Sequence, residues 1–128
     1  MENLPRRVKL PDHNMVIDTN VILRFLRNDI PSQTILAKTF FHNVELGKES
    51  GEISILVIDE TIWGLGQAYK IKRHIFLPQL IKILSYKGIS VIEMKKEIVS
   101  EILETMVEKN IDFTDLYLKA VAKENKIF

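Results

Sequence analysis

The sequence predicts an α/β domain, a three-layer α/β/α sandwich around a central parallel sheet. Three observations carry that expectation. Short apolar runs, of the kind that suits strands buried on both faces, occur at Met15-Val16-Ile17, Ile53-Ser54-Ile55 and Ile89 to Ile92. Segments with helical periodicity separate them, and strands alternating with helices imply crossover connections and a sheet covered on both sides. Finally, a chain of 128 residues with 46% hydrophobic and 27% charged content can bury one core without a disulfide or metal staple.

Composition removes several classes of function. With 5 Gly, 4 Pro and no Cys, the chain is not collagen-like, disordered or a disulfide scaffold. The lack of cysteine also excludes thiolate metal sites and cysteine nucleophiles, and it suits a reducing compartment. A net charge of +1, from 18 basic and 17 acidic residues, does not describe a general polyanion binder. The basic N-terminal stretch has no apolar segment behind it, so it is not read as a secretory signal. No apolar run reaches the roughly 18 residues that span a bilayer, and a soluble, cytoplasmic protein is expected.

In chain order, residues 1–13 read as an arm outside the core, with two prolines beside Arg6, Arg7 and Lys9. The run Met15-Val16-Ile17 ends in Asp18-Thr19-Asn20, which looks like a strand passing into a helix over Val21 to Arg27. A break at Asn28-Asp29-Ile30-Pro31 precedes a longer helix from Ser32, with Leu36, Phe40 and Val44 on one face and Gly47 as its stop. After the strand at Ile53 to Ile55, Ile58, Ile62, Leu65 and Tyr69 mark a helix from Leu56 to Lys70. Pro78 near a start and Gly88 past an end bracket a helix through Leu80, Ile81 and Leu84. A strand at Ile89 to Ile92 leads into a helix over Lys95 to Lys109, whose Glu97, Glu101, Glu104 and Glu108 read as a solvated face. Residues 112–125 form a last helix, and Ile127-Phe128 looks like the opening of a further strand.

Functional groups of parallel α/β sheets collect at the carboxyl ends of strands. Asp18 sits at such an end, although Asp18 or Asn20 could equally cap the following helix. Glu60 lies outside the apolar stripe of its helix, where a first-turn glutamate favoured by the helix dipole is the alternative. Gly64, one turn later, is expected to permit close approach of another group. Asp112 suits an N-cap, and Asp115 could pair with Lys119, yet both would present carboxylates at the positive end of a helix dipole. Carboxylates from separate elements, with dispersed His13, His42 and His74, describe a site for a hard divalent cation such as Mg²⁺ or Mn²⁺. Such ions activate water and stabilise charge developing on a phosphodiester. The basic residues Lys70, Lys72, Arg73, Lys82, Lys87, Lys95 and Lys96, against Glu93 alone, could line an RNA path or form a solvated face. Arg24 and Arg27 are further candidates for substrate phosphates, with ordinary surface placement as the alternative.

These residues carry a resemblance. Val16-Ile17-Asp18-Thr19-Asn20-Val21-Ile22-Leu23, followed by Arg24-Phe25-Leu26, closely resembles the opening motif of PIN-domain nucleases, particularly the VapC-like toxins. Ile58-Asp59-Glu60-Thr61-Ile62-Trp63-Gly64-Leu65 is similar to their second acidic motif, and Ile111 to Ala122, through Asp112 and Asp115, to their third. The likeness covers about residues 14–128, which would form one PIN-like domain after the arm. It implies a metal-dependent endoribonuclease using Mg²⁺ or Mn²⁺, with Asp18, Glu60 and Asp115 as metal-binding carboxylates and Asp112 auxiliary. Asn20 would orient Asp18 or the water of the metal. The resemblance also implies a homodimer and a toxin neutralised by a cognate antitoxin protein.

The family's fourth acid is expected just beyond the strand opening at Ile127-Phe128, so the C-terminal strand is expected to be truncated here. That departure motivates an alternative, a catalytically impaired PIN-like domain acting as an RNA-binding or dimerisation module. A haloacid-dehalogenase-like phosphohydrolase ranks last, because Asn20 stands where that family would place a second aspartate.

Overall fold

The computed structural model describes residues 15–27 and 31–124. Three short strands, β1 (Met15–Val16), β2 (Gly51–Ile53) and β3 (Ile89–Val91), form a parallel sheet in the order β1-β2-β3. Met15 pairs with Gly51, which in turn pairs with Ile89. The β1 ladder runs one residue beyond the strand, where the Ile17 N–H donates to the Glu52 carbonyl at 2.8 Å. Helices α1 (Thr19–Arg27) and α2 (Pro31–Glu45) connect β1 to β2. Helix α3 (Ile55–Trp63), a π-helix at Gly64–Ala68 and α4 (Arg73–Leu84) connect β2 to β3. Helices α5 (Lys96–Glu108) and α6 (Phe113–Glu124) follow β3. The architecture is the expected α/β sandwich. The arm at 1–13, the break at Asn28-Asp29-Ile30, His13 and the strand opening at Ile127-Phe128 lie outside the described residues.

One core joins the sheet to its helices. Ile22 of α1, Phe41 and Val44 of α2, Ile53 of β2, Phe76 and Leu77 of α4, and Val99 and Leu103 of α5 are all buried within it. Burial at this density makes each loss of a methylene costly, typically 2–5 kcal/mol for a large residue cut to alanine. No described helix is long and apolar enough to cross a membrane. The four glutamates of α5 are exposed, as their spacing predicts.

Two corners explain how consecutive layers are joined. Gly47, at φ +78°, ends α2 as predicted. Its N–H donates to Val44 at 3.0 Å and the Lys48 N–H to Asn43 at 2.8 Å, which satisfies the last carbonyls of the helix. Gly88 precedes β3, and a Cβ there would collide with the Glu49 carbonyl oxygen. Its own carbonyl accepts from the Gly51 N–H at 2.9 Å, so a bare backbone is what lets the two corners meet.

Four local expectations need correction. Leu36 is 73% exposed and Phe40 only half-buried, because the inward face of α2 is Thr34, Ala37, Phe41 and Val44. The strand expected at Ile53 to Ile55 stops at Ile53, since Ser54 turns into a helix cap and Ile55 begins α3. Pro78 lies inside α4 rather than at its start, because burying Phe76 and Leu77 extends the helix back to Arg73. The helix expected over Leu56 to Lys70 changes to a π-helix at Gly64, and Tyr69 is 41% exposed rather than part of a buried stripe.

Candidate active site

The carboxyl ends of the strands gather three of the relevant segments along one edge of the sheet. Asp18 follows the end of β1 directly, and its carbonyl accepts from the Val21 N–H at 3.1 Å to open α1. Its carboxylate is exposed and accepts no hydrogen bond from the described residues, so side-chain capping does not occupy it. Asn20 is exposed on the first turn of α1.

Beyond β2, Ser54 is extended (φ −78°, ψ 148°) and its Oγ accepts from the Leu56 N–H at 3.1 Å. Beyond β3, Glu93 reaches across the edge. Its Oε2 accepts from the Ser54 hydroxyl at 2.6 Å and its Oε1 from the Ile55 N–H at 2.8 Å. The otherwise unsatisfied amides at the start of α3 therefore have partners, and a negative charge sits at the positive end of the helix dipole.

Helix α3 carries Glu60. The first turn of α3 holds no acidic residue, so the dipole reading of Glu60 does not apply. Glu60 instead lies in the second turn, and its Oε1 accepts from the Thr19 hydroxyl at 2.5 Å. Thr19 is itself 7% exposed. This hydrogen bond joins the segment after β1 to the helix after β2 and fixes one carboxylate oxygen of Glu60. Sequence reasoning passed over Thr19, although it lies between two residues singled out as candidates.

Asp112 and Asp115 stand at the start of α6. The Asp112 carbonyl accepts from the Leu116 N–H at 3.3 Å, which is the N-cap position foreseen for it. Both side chains are exposed and line a groove of about 940 Å³, shared with Asp59 and Trp63 of α3. Arg73 sets the position of this wall: it donates to Asn110 Oδ1 at 3.1 Å and to the Ile111 carbonyl at 2.6 Å. Among the described residues, no three His, Cys, Asp or Glu side chains form a group able to hold a metal ion. Thus Thr19 and Glu60 are brought into contact, whereas Asp112 and Asp115 are placed together on the groove.

The basic candidates divide. Arg24 donates through Nε to Gln33 Oε1 and its carbonyl accepts from Thr34 Oγ1 at 3.3 Å, which ties α1 to α2. The Arg27 guanidinium lies 3.5 Å from the centroid of the Tyr69 ring, in a cation–π contact. Lys70, Lys72, Arg73 and His74 line the groove, but Lys95 and Lys96 line a separate hollow, and Lys96 Nζ donates to the Tyr86 carbonyl at 2.9 Å. The basic run is therefore not one continuous path. Gly64 does not mark a close approach either, since a Cβ there would meet nothing within 4 Å.

The domain thus carries an exposed Asp18 carboxylate without a hydrogen-bond partner among the described residues, and a Glu60 hydrogen-bonded to Thr19. The family profile described as PIN domain matches residues 15–127, and the chain belongs to the PIN domain family. PIN domains are usually nucleases that act on nucleic acid with divalent metals. Neither a curated protein nor a solved structure gives a match.

Proposed function

We propose that this PIN domain is a metal-dependent endoribonuclease and the toxin of a toxin–antitoxin pair. The observation that supports this most is the Thr19–Glu60 hydrogen bond, which links the first two acidic motifs. The donor chemistry suits Mg²⁺ or Mn²⁺, because the exposed side chains offered by Asp18, Glu60 and Asp115 are oxygen donors only. Their assignment as ligands, with Asp112 auxiliary, rests on the likeness of the three motifs to PIN-domain nucleases, because the described residues hold no group of three such side chains able to bind an ion. When bound, a divalent ion activates water and stabilises the charge that develops on a phosphodiester.

The chain's own residues have separable parts in this reading. Thr19 keeps one oxygen of Glu60 fixed and leaves the other available. Ser54 and Glu93 anchor the helix on which Glu60 rides. Asn20 makes no hydrogen bond to Asp18 among the described residues and would instead orient the water of the ion, and Arg24 and Arg27 would contribute positive charge on α1. Cleavage would leave a 5′-phosphate and a 3′-hydroxyl. The homodimer, the antitoxin protein and the toxin role rest on the likeness of the segment Val16 to Leu26 to VapC-like toxins.

The test is cleavage of single-stranded or looped RNA with Mg²⁺ or Mn²⁺, with EDTA, and with Asp18→Asn. Metal-dependent cutting that falls at least hundredfold in the variant is expected, from loss of a group that binds the reacting centre. Cutting in EDTA, or full activity in Asp18→Asn, overturns the proposal. RNA binding without cutting establishes the binding-module alternative instead. For the biological role, induced expression should arrest growth, and Asp18→Asn should relieve the arrest.

A further inference from the structure

The groove between α3, α4 and the start of α6 holds a feature that the acidic motifs do not use. Trp63, at the end of α3, is 63% exposed, although an indole of this size is usually largely buried. Among the described residues, no aromatic ring or cation stacks on it. Gly66 follows three residues later on the groove wall and adds no side chain beside the ring. Its own Cβ position lies 3.8 Å from Phe76, an ordinary contact, so core packing does not demand a glycine there.

Lys70 and Lys72 line the same groove between the π-helix and α4, with Asp59 of α3 and Lys109, Asp112 and Asp115 around the start of α6 also on it. Lys70 has φ +58°, a left-handed conformation that a lysine adopts only at some cost. The π-helix between Trp63 and Lys70 delivers both residues to the groove, and such helices are frequent at functional sites.

We infer that Trp63 is a stacking platform for an unpaired base of single-stranded RNA, with Lys70 and Lys72 holding the adjoining phosphates. This rests on the ribonuclease reading for its choice of RNA. Base–aromatic stacking is tolerant of sequence and needs an unpaired base, whereas the lysines contribute a salt-dependent attraction. Trp63 then selects for single-stranded substrate, and it does so outside the set of acids assigned to the chemistry.

The experiment exploits the fact that Trp63 is the one tryptophan of the chain. Its fluorescence is titrated with a single-stranded oligoribonucleotide in EDTA, so that cleavage plays no part. Saturable quenching is expected, and a duplex of the same sequence should give none. By anisotropy of a labelled strand, Trp63→Ala should bind about tenfold or more weakly, while Trp63→Phe retains most of the affinity. Lys70→Ala with Lys72→Ala should weaken binding and flatten its salt dependence. Thermal unfolding checks that the exposed Trp63→Ala variant remains folded. Binding without quenching, no binding, or wild-type affinity in folded Trp63→Ala overturns the inference. Quenching by RNA that the metal-loaded protein never cuts would retain the platform and reject the nuclease, so the two proposals fail separately.

Discussion

Thr19 is the residue whose small side chain connects most. Its hydroxyl is buried, donates to Glu60 Oε1 at 2.5 Å and crosses a sequence separation of 41. Thr19→Val keeps the volume and removes the donor. Because Glu60 is exposed, water can replace the lost partner, and stability should change by only about 1 kcal/mol. Activity should respond more. A carboxylate free to rotate is misplaced for the reaction, and kcat should fall about ten- to a hundredfold with KM little changed. Thr19→Ser should restore it. Unaltered kcat in a folded Thr19→Val would show that Thr19 has no positioning role. Asp18 and Glu60 stand out as candidates in the sequence because an acid after an apolar strand, or off the apolar stripe of a helix, is visible locally. Thr19 does not, since its partner lies on another element.

At the scale of elements, the start of α3 is the joint that aligns the Glu60 helix with the sheet. Ser54→Ala removes both the acceptor for Leu56 and the donor to Glu93, and should cost about 1 kcal/mol by urea unfolding. Glu93→Gln should cost a similar amount, and the double variant less than the sum, because the two share one cap. Strict additivity would mean that the two act independently. The order of strands and helices could be read from the sequence, but several boundaries could not. Ile55 is apolar and β-branched, so it looks like strand until Glu93, far along the chain, satisfies its amide. Pro78 suggests a helix start, yet Phe76 and Leu77 gain more by burial when the helix begins earlier. The π-helix was hidden because its signature, a Tyr69 N–H donating to Gly64 at 2.9 Å, is a backbone choice that apolar spacing does not reveal.

For the whole molecule, one ionisable group reports on the integrity of the core. Tyr86 lies between α4 and β3, buried, with its ring centroid 6.5 Å from that of Phe41. Burial, assisted by Glu45, raises its phenol above the ordinary 10.0. The unfolded chain therefore releases this proton first, and the contribution of Tyr86 is complete below that value and is lost as pH rises through the higher folded value. Urea midpoints should fall as pH rises past the ordinary tyrosine value and through the higher folded one, and less steeply in Tyr86→Phe. Equal slopes would place the alkaline loss on the lysines instead. The groove was likewise beyond the reach of a linear reading. The basic run from Lys70 to Lys96 is continuous in sequence but is divided by α4 and β3 in space. The parallel sheet has a further consequence, for synthesis. Each strand's neighbour is reached only after at least two intervening helices have been made. A chain leaving the ribosome therefore carries β1 unpaired until β2 emerges, and β2 without its second neighbour until β3 follows, so docking of the sheet should trail helix formation and set the pace of folding.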